Sequence, residues 1–253
     1  MKERVLKELE RIQREHNVRV LLAVESGSRA WGFASPDSDY DVRFIYVHRP
    51  EWYLTVHEHR DVIEEMLPDA LDVSGWELRK TLRLFAKCNL ALNEWLGSPL
   101  VYMENAKFKA ELSTLIPQFF NPIAAIHHYR SMAEGAFKDH FVDGQIKIKK
   151  LFYVLRPLLA CRWIEATQTQ PPTEFDKLVA TEWVSPDEKS WIADLLKQKM
   201  VAVEAAPLPL DHKRSASILA EIDKYKSTAG SAAKPVKGEL STLDALLRAW
   251  VSV

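Results

Sequence analysis

The feature that most constrains the fold is a polar segment between two short apolar runs near the amino terminus. Residues 18–24 (VRVLLAV) are apolar and β-branched, and a Gly-Ser pair follows closely, which is typical of a short buried strand that ends in a turn. Residues 40–47 (YDVRFIYV) alternate between two kinds of side chain, as a strand with two different faces does. The chain is therefore predicted to leave one strand through a turn and to enter a second.

The rest of the front part completes a small sheet. Residues 1–16 place apolar side chains at helical spacing among charged ones, which predicts an amphipathic helix with one buried face. Two further short strands are expected over residues 61–67 and 70–74, on either side of Pro68 and Asp69. The order of helix, strand, turn and further strands indicates an α/β sheet.

Beyond Gly75 the apolar residues recur at helical spacing, and the remainder is predicted to be mainly helical. Helices are expected from residue 78 and over residues 90–96, 101–116, 122–140, 143–166, 186–200 and 239–251. Pro157 should kink or limit the fifth of these segments. The predicted class is α+β, with a small mixed sheet in residues 1–98 followed by a mainly helical domain in residues 99–253.

Composition excludes several classes of protein. The 253 residues carry 34 Lys and Arg against 35 Asp and Glu, a formal net charge of -1, so the chain is not uniformly basic, as a nonspecific nucleic-acid packager would be. Its two cysteines share no metal-ligand spacing, and its eight histidines form no metal-ligand grouping. No apolar run approaches the roughly 18 residues of a membrane span. We therefore expect a reduced, cytoplasmic protein with no membrane partner.

Asp39 and Asp41 begin the second strand and suggest a cation site. Residues i and i+2 of a strand point to the same face, so the two carboxylates are expected to lie a few ångströms apart and to repel each other. A shared divalent cation removes that conflict. Hard oxygen ligands at this spacing suit Mg²⁺, which usually completes its coordination shell with water and substrate phosphate.

Gly27 and Ser28 supply the complementary half of a phosphate site. Glycine lets the backbone approach a phosphate closely, a helix amino terminus offers free N–H groups, and a serine hydroxyl donates a hydrogen bond. Phosphates held between this turn and the aspartates would suit two-metal phosphoryl transfer.

These residues carry a family resemblance. Gly27-Ser28, followed after a spacer by Asp39-Tyr40-Asp41, resembles the signature of the DNA polymerase beta-type nucleotidyltransferase superfamily. Three longer segments, residues 27–48, 71–102 and 147–165, resemble a bacterial and phage family of predicted nucleotidyltransferases sometimes encoded beside RNA ligases. The resemblance implies a catalytic domain with this fold and a helical domain that covers the nucleotide.

The resemblance also implies a third carboxylate on a later strand. Asp39 and Asp41 would bind both metals, and Asp72 would complete the site of the metal that activates the acceptor hydroxyl. Asp72 is the nearest match, but the sequence leaves competing carboxylates open, namely Glu64, Glu65, Asp69 and Glu77.

Basic residues provide candidate phosphate ligands. Arg29 and Arg43 are interpreted either as ion-pair partners or as phosphate contacts, since a guanidinium fits two oxygens. Relatives send a lysine and an aromatic residue from the helical domain to the triphosphate and base, and Lys149 or Lys150 with Tyr153 resemble these. The alternative is a solvated helix face. The surrounding basic cluster consists of Lys147, Lys149, Lys150, Arg156 and Arg162.

The sequence thus predicts an enzyme, a nucleotidyltransferase that uses Mg²⁺ or Mn²⁺. It would transfer a nucleoside monophosphate from a nucleoside triphosphate such as ATP to a hydroxyl and release pyrophosphate. The resemblance favours RNA as the acceptor, reached through a local basic patch. The alternatives are transfer to a protein or small-molecule hydroxyl, and a catalytically inactive module that binds nucleotide or RNA.

Overall fold

The computed structural model describes residues 1–35, 38–68, 70–201, 207–228 and 238–252, the side chains of residues 200, 201 and 228 excepted. The chain forms two compact units. The first contains residues 1–119 and the carboxyl-terminal residues 238–252, and the second begins at residue 120.

A five-stranded mixed sheet forms the centre of the first unit, in the order β3-β4-β2-β1-β5. Strands β2 and β4 are parallel, and the other neighbouring pairs are antiparallel. The strands are β1 (Arg19–Glu25), β2 (Tyr40–Val47), β3 (Val62–Leu67), β4 (Leu71–Glu77) and β5 (Val101–Glu104). The predicted fold class, with its small mixed sheet ahead of a mainly helical region, is confirmed.

Within the described residues of the first unit, seven helices precede residue 120. They are α1 (Lys2–His16), α2 (Gly27–Trp31), α3 (Pro50–Tyr53), α4 (Leu78–Ala86), α5 (Leu90–Leu96), α6 (Ala106–Thr114) and α7 (Ile116–Phe119). The predicted apolar stripe of α1 contains Val5, Leu6, Leu9 and Ile12; Leu6 is half-buried and the other three are buried. The Glu77 carboxylate accepts hydrogen bonds from the backbone N–H groups of Arg79 and Lys80, so it caps the start of α4.

The sheet is covered on both faces, which explains the continuous apolar sequence of β1. One face packs Val42, Phe44 and Tyr46 of β2 into the core cluster that contains the buried side of α1. On the other face, Ile45 and Val47 belong to a cluster with residues from α4, α5, α6 and the carboxyl-terminal helix. Because side chains alternate along β2, Asp41 lies on the same face as Ile45.

The second unit is mainly helical. Its helices are α8 (Pro122–His140), α9 (Ile148–Thr167), α10 (Phe175–Val179), α11 (Pro186–Val201) and α12 (His212–Thr228), and its small antiparallel sheet consists of β6 (Gln145–Lys147) and β7 (Pro207–Pro209). Helix α9 packs against α8 and continues through Pro157, which is buried within it. None of the helices in the described part of the chain combines the length and apolar character that a membrane crossing requires.

Helix α13 (Leu240–Val251) closes the chain and belongs to the first unit. Trp250 on this helix is 5% exposed and packs edge-on against Phe108 with ring centroids 5.3 Å apart. The compact units therefore divide after residue 119, whereas the sequence places a domain boundary near residue 98.

Two predicted helices start later than expected. Residues 101–104 form β5, not the first turn of a helix, because they pair with β1 opposite residues 22–24. Residues 145–147 form β6 ahead of α9 for the same reason, since they pair with β7. Such short segments carry too few residues for their period to distinguish a strand from a helix.

Candidate active site

Asp41 and Asp72 lie side by side on neighbouring strands. Strands β2 and β4 are parallel, and their register places Asp41 directly opposite Asp72. The Arg43 guanidinium lies between the two carboxylates, with its Nη2 donating to Asp41 Oδ1 at 3.1 Å and to Asp72 Oδ2 at 2.7 Å. One cation thus reduces the repulsion that two adjacent carboxylates would otherwise experience.

Gly27 closes one side of this carboxylate pair. Its φ is +60°, and a Cβ atom built there would lie 2.3 Å from Asp41 Oδ2. The backbone N–H of the preceding residue, Ser26, donates to the Asp41 carbonyl at 2.8 Å. Only glycine combines this left-handed backbone with so close an approach to the carboxylate. Ser28, the next residue, is 6% exposed and is held in the first turn of α2.

Arg29 holds the segment that leads into β2. Its Nη2 donates to the Ser38 carbonyl at 2.6 Å and its Nε to the Asp39 carbonyl at 3.0 Å. The same guanidinium lies over the Tyr40 ring, 3.7 Å from its centroid, which adds a cation–π interaction. Asp39 is exposed, and the hydrogen bond from Arg29 to its carbonyl holds its backbone in place.

A buried carboxylate supports Asp41 from behind. Glu25, at the end of β1, is 0% exposed, and its Oε1 accepts a hydrogen bond from the Asp41 backbone N–H at 2.8 Å. The Tyr102 hydroxyl of β5 donates to Glu25 Oε2, and Ser98 Oγ donates to the Glu25 carbonyl at 2.6 Å. Burial raises the pKa of Glu25 above the ordinary carboxyl value. The hydrogen bonds from the Tyr102 hydroxyl and the Asp41 N–H oppose this shift without cancelling it.

Sequence reasoning did not identify Glu25 or Tyr102 as members of this site. The available signal was a lone acidic residue at the end of an otherwise apolar strand, immediately before the Gly-Ser turn. Such a residue is rarely buried without hydrogen-bond partners. Tyr102 gave no signal, because its role depends on the pairing of β5 with β1.

The donors at this site suit a hard cation that brings further ligands with it. No group of three His, Cys, Asp or Glu side chains in the described residues is arranged to hold a metal ion, so the protein contribution here is the Asp41 and Asp72 pair. Mg²⁺ is commonly held by one or two carboxylates, with waters and substrate phosphates filling the other positions. The close fit of Gly27 against Asp41 leaves the carboxylate little freedom to turn away.

Comparisons with known proteins show the family of this chain. Residues 1–249 match the family described as the RNA repair pathway DNA polymerase beta family. The chain belongs to this family. An uncharacterized protein of Bacillus subtilis (strain 168), YcgL, is 51% identical over 199 residues, which cover 79% of this chain and 76% of the relative. The resemblance predicted from Gly27-Ser28 and Asp39-Tyr40-Asp41 is confirmed at the level of the family.

Among the solved structures that this chain matches is a nucleotidyltransferase-like protein from Exiguobacterium sibiricum. It is 12% identical, and the match covers 95% of this chain and 73% of that chain with a TM-score of 0.30. At that score the likeness does not establish a shared fold.

The register of the sheet shows which of the candidate third carboxylates lies beside Asp41. Asp72 is the one opposite Asp41. Glu77 is 1% exposed, accepts a hydrogen bond from the Tyr53 hydroxyl and caps α4. Glu64 and Glu65 lie on β3, opposite residues 74 and 73 of β4, and Asp69 lies outside the described residues.

The basic cluster predicted for this polymerase beta family member is only partly present on the surface of the second unit. Arg156 is 1% exposed and donates to the Thr173 carbonyl at 3.1 Å. Arg162 donates two hydrogen bonds to Glu221, at 2.6 and 2.7 Å, and one to Glu188 at 2.7 Å. These two arginines are therefore structural, which contradicts their assignment to an open phosphate-binding patch.

The remaining candidates lie at the start of α9. Lys147 is exposed, and Lys149, Lys150 and Tyr153 are half-buried. Lys150 Nζ lies over the Tyr153 ring, 5.6 Å from its centroid. These residues form a local group within the second unit, whereas the carboxylates lie in the first.

Proposed function

We propose that this protein is a nucleotidyltransferase that transfers a nucleoside monophosphate from a nucleoside triphosphate to a hydroxyl of RNA. The observation that carries the proposal is the in-register pair of Asp41 and Asp72, held by Arg43 beside the Gly27 turn. Membership of a family described as polymerase beta-like and as part of an RNA repair pathway supports it.

Asp41 and Asp72 would hold Mg²⁺, or Mn²⁺ in its place. Asp39, predicted as a further ligand, is exposed and does not form a three-ligand group with them among the described residues. When bound, the cation supplies Lewis-acid stabilisation of phosphate charge and lowers the pKa of a coordinated hydroxyl. Arg43 keeps the two carboxylates aligned before the cation arrives, and Glu25 fixes the backbone of Asp41. Because the two carboxylates are already aligned, cation binding requires less rearrangement of the protein.

The triphosphate would lie against the turn formed by Gly27 and Ser28. In the reaction, the acceptor oxygen bonds to the α-phosphorus, the bond from that phosphorus to the bridging oxygen of pyrophosphate breaks, and the hydroxyl proton is released. Arg29 keeps the neighbouring segment in place through its bonds to Ser38 and Asp39. Lys149, Lys150 and Tyr153 of the second unit stay a prediction as contacts for phosphate and base.

The test is transfer of label from nucleoside triphosphates that are radioactive at the α-phosphate. The full chain is incubated with Mg²⁺ and RNA that ends in a free hydroxyl, and the variants Asp41→Asn and Asp72→Asn are compared with Glu104→Gln. Glu104 is an exposed carboxylate on β5 that pairs with Lys109 at 3.0 Å, which makes it a matched control within the same sheet.

We expect both aspartate variants to lose at least about a hundredfold in transfer rate, because losing even an outer partner of a metal ligand typically costs 10–100-fold. The Glu104→Gln variant should retain the wild-type rate. Metal-dependent labelling that persists undiminished in both aspartate variants would contradict the proposed site. Parallel reactions replace the RNA with cell protein or with a small molecule that carries a hydroxyl. Label that reaches one of these but not RNA would identify a different hydroxyl acceptor.

A further inference from the structure

A cavity lies in the first unit, at the end of β2 opposite to Asp41. Its volume is about 270 Å³. Its lining includes Tyr46, His48, Trp52, His59, Arg60 and Glu64. Tyr46 follows Asp41 by five residues of strand, or about 17 Å, and the odd spacing places the two side chains on opposite faces of the sheet. The cavity is therefore separate from the candidate active site.

Two polar atoms of this cavity wall are buried without a partner. Tyr46 is 0% exposed, and its hydroxyl has no hydrogen-bond partner among the described residues. The Nε2 atom of His59 is likewise buried and unpartnered within the described chain. Buried polar atoms are nearly always hydrogen-bonded in folded proteins, so these two atoms point to a ligand that supplies the missing partners.

Flat aromatic rings form much of the wall. The rings of His48 and Trp52 are stacked at 4.2 Å with an interplanar angle of 7°. Trp52 and His59 are stacked at 5.0 Å and 27°, and His48 meets the Tyr46 ring edge-on at 5.5 Å. Such a set of rings favours a planar ligand, which can stack on them with little loss of conformational entropy.

The charges around the cavity are already balanced. Arg60 pairs with Glu64 at 3.1 Å. Glu65 pairs with Arg11 of α1 and lies 4.0 Å from Nε2 of His16, which also lines the cavity. Burial, together with the neighbouring imidazoles, lowers the pKa of His48 to about 4, which leaves this ring neutral at physiological pH. No unbalanced positive charge among these groups would attract a phosphate, and the imidazoles do not join the described carboxylates in a three-ligand metal group.

We propose that this cavity is a nucleobase-binding site. A base is planar, uncharged and of a size that fits the cavity, and its edge carries donors and acceptors for the Tyr46 hydroxyl and the His59 Nε2. The base belongs either to a free nucleoside or to a nucleotide of single-stranded RNA, since proteins recognise both by stacking and by hydrogen bonds to the base edge. The proposed base site is independent of the proposed transfer reaction, because neither Asp41 nor Asp72 lines the cavity.

The test measures binding of nucleosides and of a short single-stranded RNA by calorimetry, with no triphosphate and no metal present. Wild-type full chain is compared with Tyr46→Phe, which removes only the unpartnered hydroxyl, and with His57→Ala as the control. His57 is exposed and contacts His59 through its ring at 4.4 Å, but it does not line the cavity. Because the Tyr46 hydroxyl has no protein partner, the phenylalanine variant is expected to fold normally.

At least one of the four common nucleosides, or the RNA, should bind the wild-type chain, and Tyr46→Phe should weaken that binding about five- to tenfold, the effect of one hydrogen bond. His57→Ala should change it less than about twofold on the same scale. Binding of RNA without free nucleoside would identify RNA as the source of the base, and the reverse result would identify the nucleoside. No binding of either ligand, or equal binding by Tyr46→Phe, would overturn the proposal.

Discussion

Replacing Gly27 with alanine is expected to disturb the carboxylate pair while leaving the sheet intact. The residue has a φ of +60°, and its Cβ would lie 2.3 Å from Asp41 Oδ2 and 3.2 Å from Asp41 Cγ. Ordinary van der Waals contacts of a Cβ begin at 3.4 Å. The Asp41 carboxylate must therefore move by about 1 Å, and a displacement of that size in a catalytic group typically costs about a hundredfold in rate.

The same substitution also strains the backbone. Alanine in the left-handed region costs about 1–2 kcal/mol relative to glycine, and this cost lowers the free energy of unfolding. Gly32 provides a matched control, because its φ is +87° but a Cβ built there has no neighbour within 4 Å. Gly32→Ala should therefore pay the backbone cost without moving Asp41.

The assay combines urea denaturation of both variants with the rate of Mg²⁺-dependent nucleotidyl transfer. We expect Gly27→Ala and Gly32→Ala to lose a similar free energy of unfolding, about 1–2 kcal/mol each. Only Gly27→Ala should lose about a hundredfold in transfer rate. Equal transfer rates for the two variants would refute the reasoning that Gly27 is required by its contact with Asp41.

Three further predictions concern the first unit. Gly75→Ala places a Cβ 2.2 Å from Phe44 Cε2 and should lower the free energy of unfolding in urea by about 1–3 kcal/mol; an unchanged denaturation midpoint would contradict this. Trp250→Ala should cost about 3–5 kcal/mol by the same measurement, because the ring is buried in the core, and a loss below about 1 kcal/mol would show that α13 contributes little. The pKa of His48 is lowered from 6.5 to about 4 by burial and nearby imidazoles, so the unfolded chain binds a proton first. The free energy of unfolding should therefore fall by about 3 kcal/mol as the pH drops from about 6.5 towards 4. His48→Phe should flatten this decline, and an identical pH profile would contradict the assignment.

The start of the site could be predicted from sequence because it is local. The turn at Gly27 and the alternation that begins at Asp39 lie in one continuous segment, and their spacing depends only on strand geometry. The partner of Asp41 could not be predicted in the same way. Asp72 lies on a strand that is distant in sequence, and the register of two such strands is set by packing of the sheet faces.

The burial of charged residues could not be predicted from the sequence either. The predicted basic cluster contains Arg156 and Arg162 together with the lysines near the start of α9, because a sequence shows which residues are charged but not which are exposed. In the structure, their partners Thr173, Glu188 and Glu221 come from later segments of the chain. Contacts of this kind are non-local, and the helical period of α9 contains no information about them.

The most direct test of the account follows the two ends of the triphosphate separately. The full chain is incubated with Mg²⁺, RNA that ends in a free hydroxyl, and a nucleoside triphosphate labelled at either the α- or the γ-phosphate. Nucleotidyl transfer predicts that the α-label enters RNA and that the γ-label appears in pyrophosphate in equal amount, with both signals lost in Asp41→Asn. Entry of the γ-label into the acceptor, or release of pyrophosphate that does not depend on Asp41, would contradict the account.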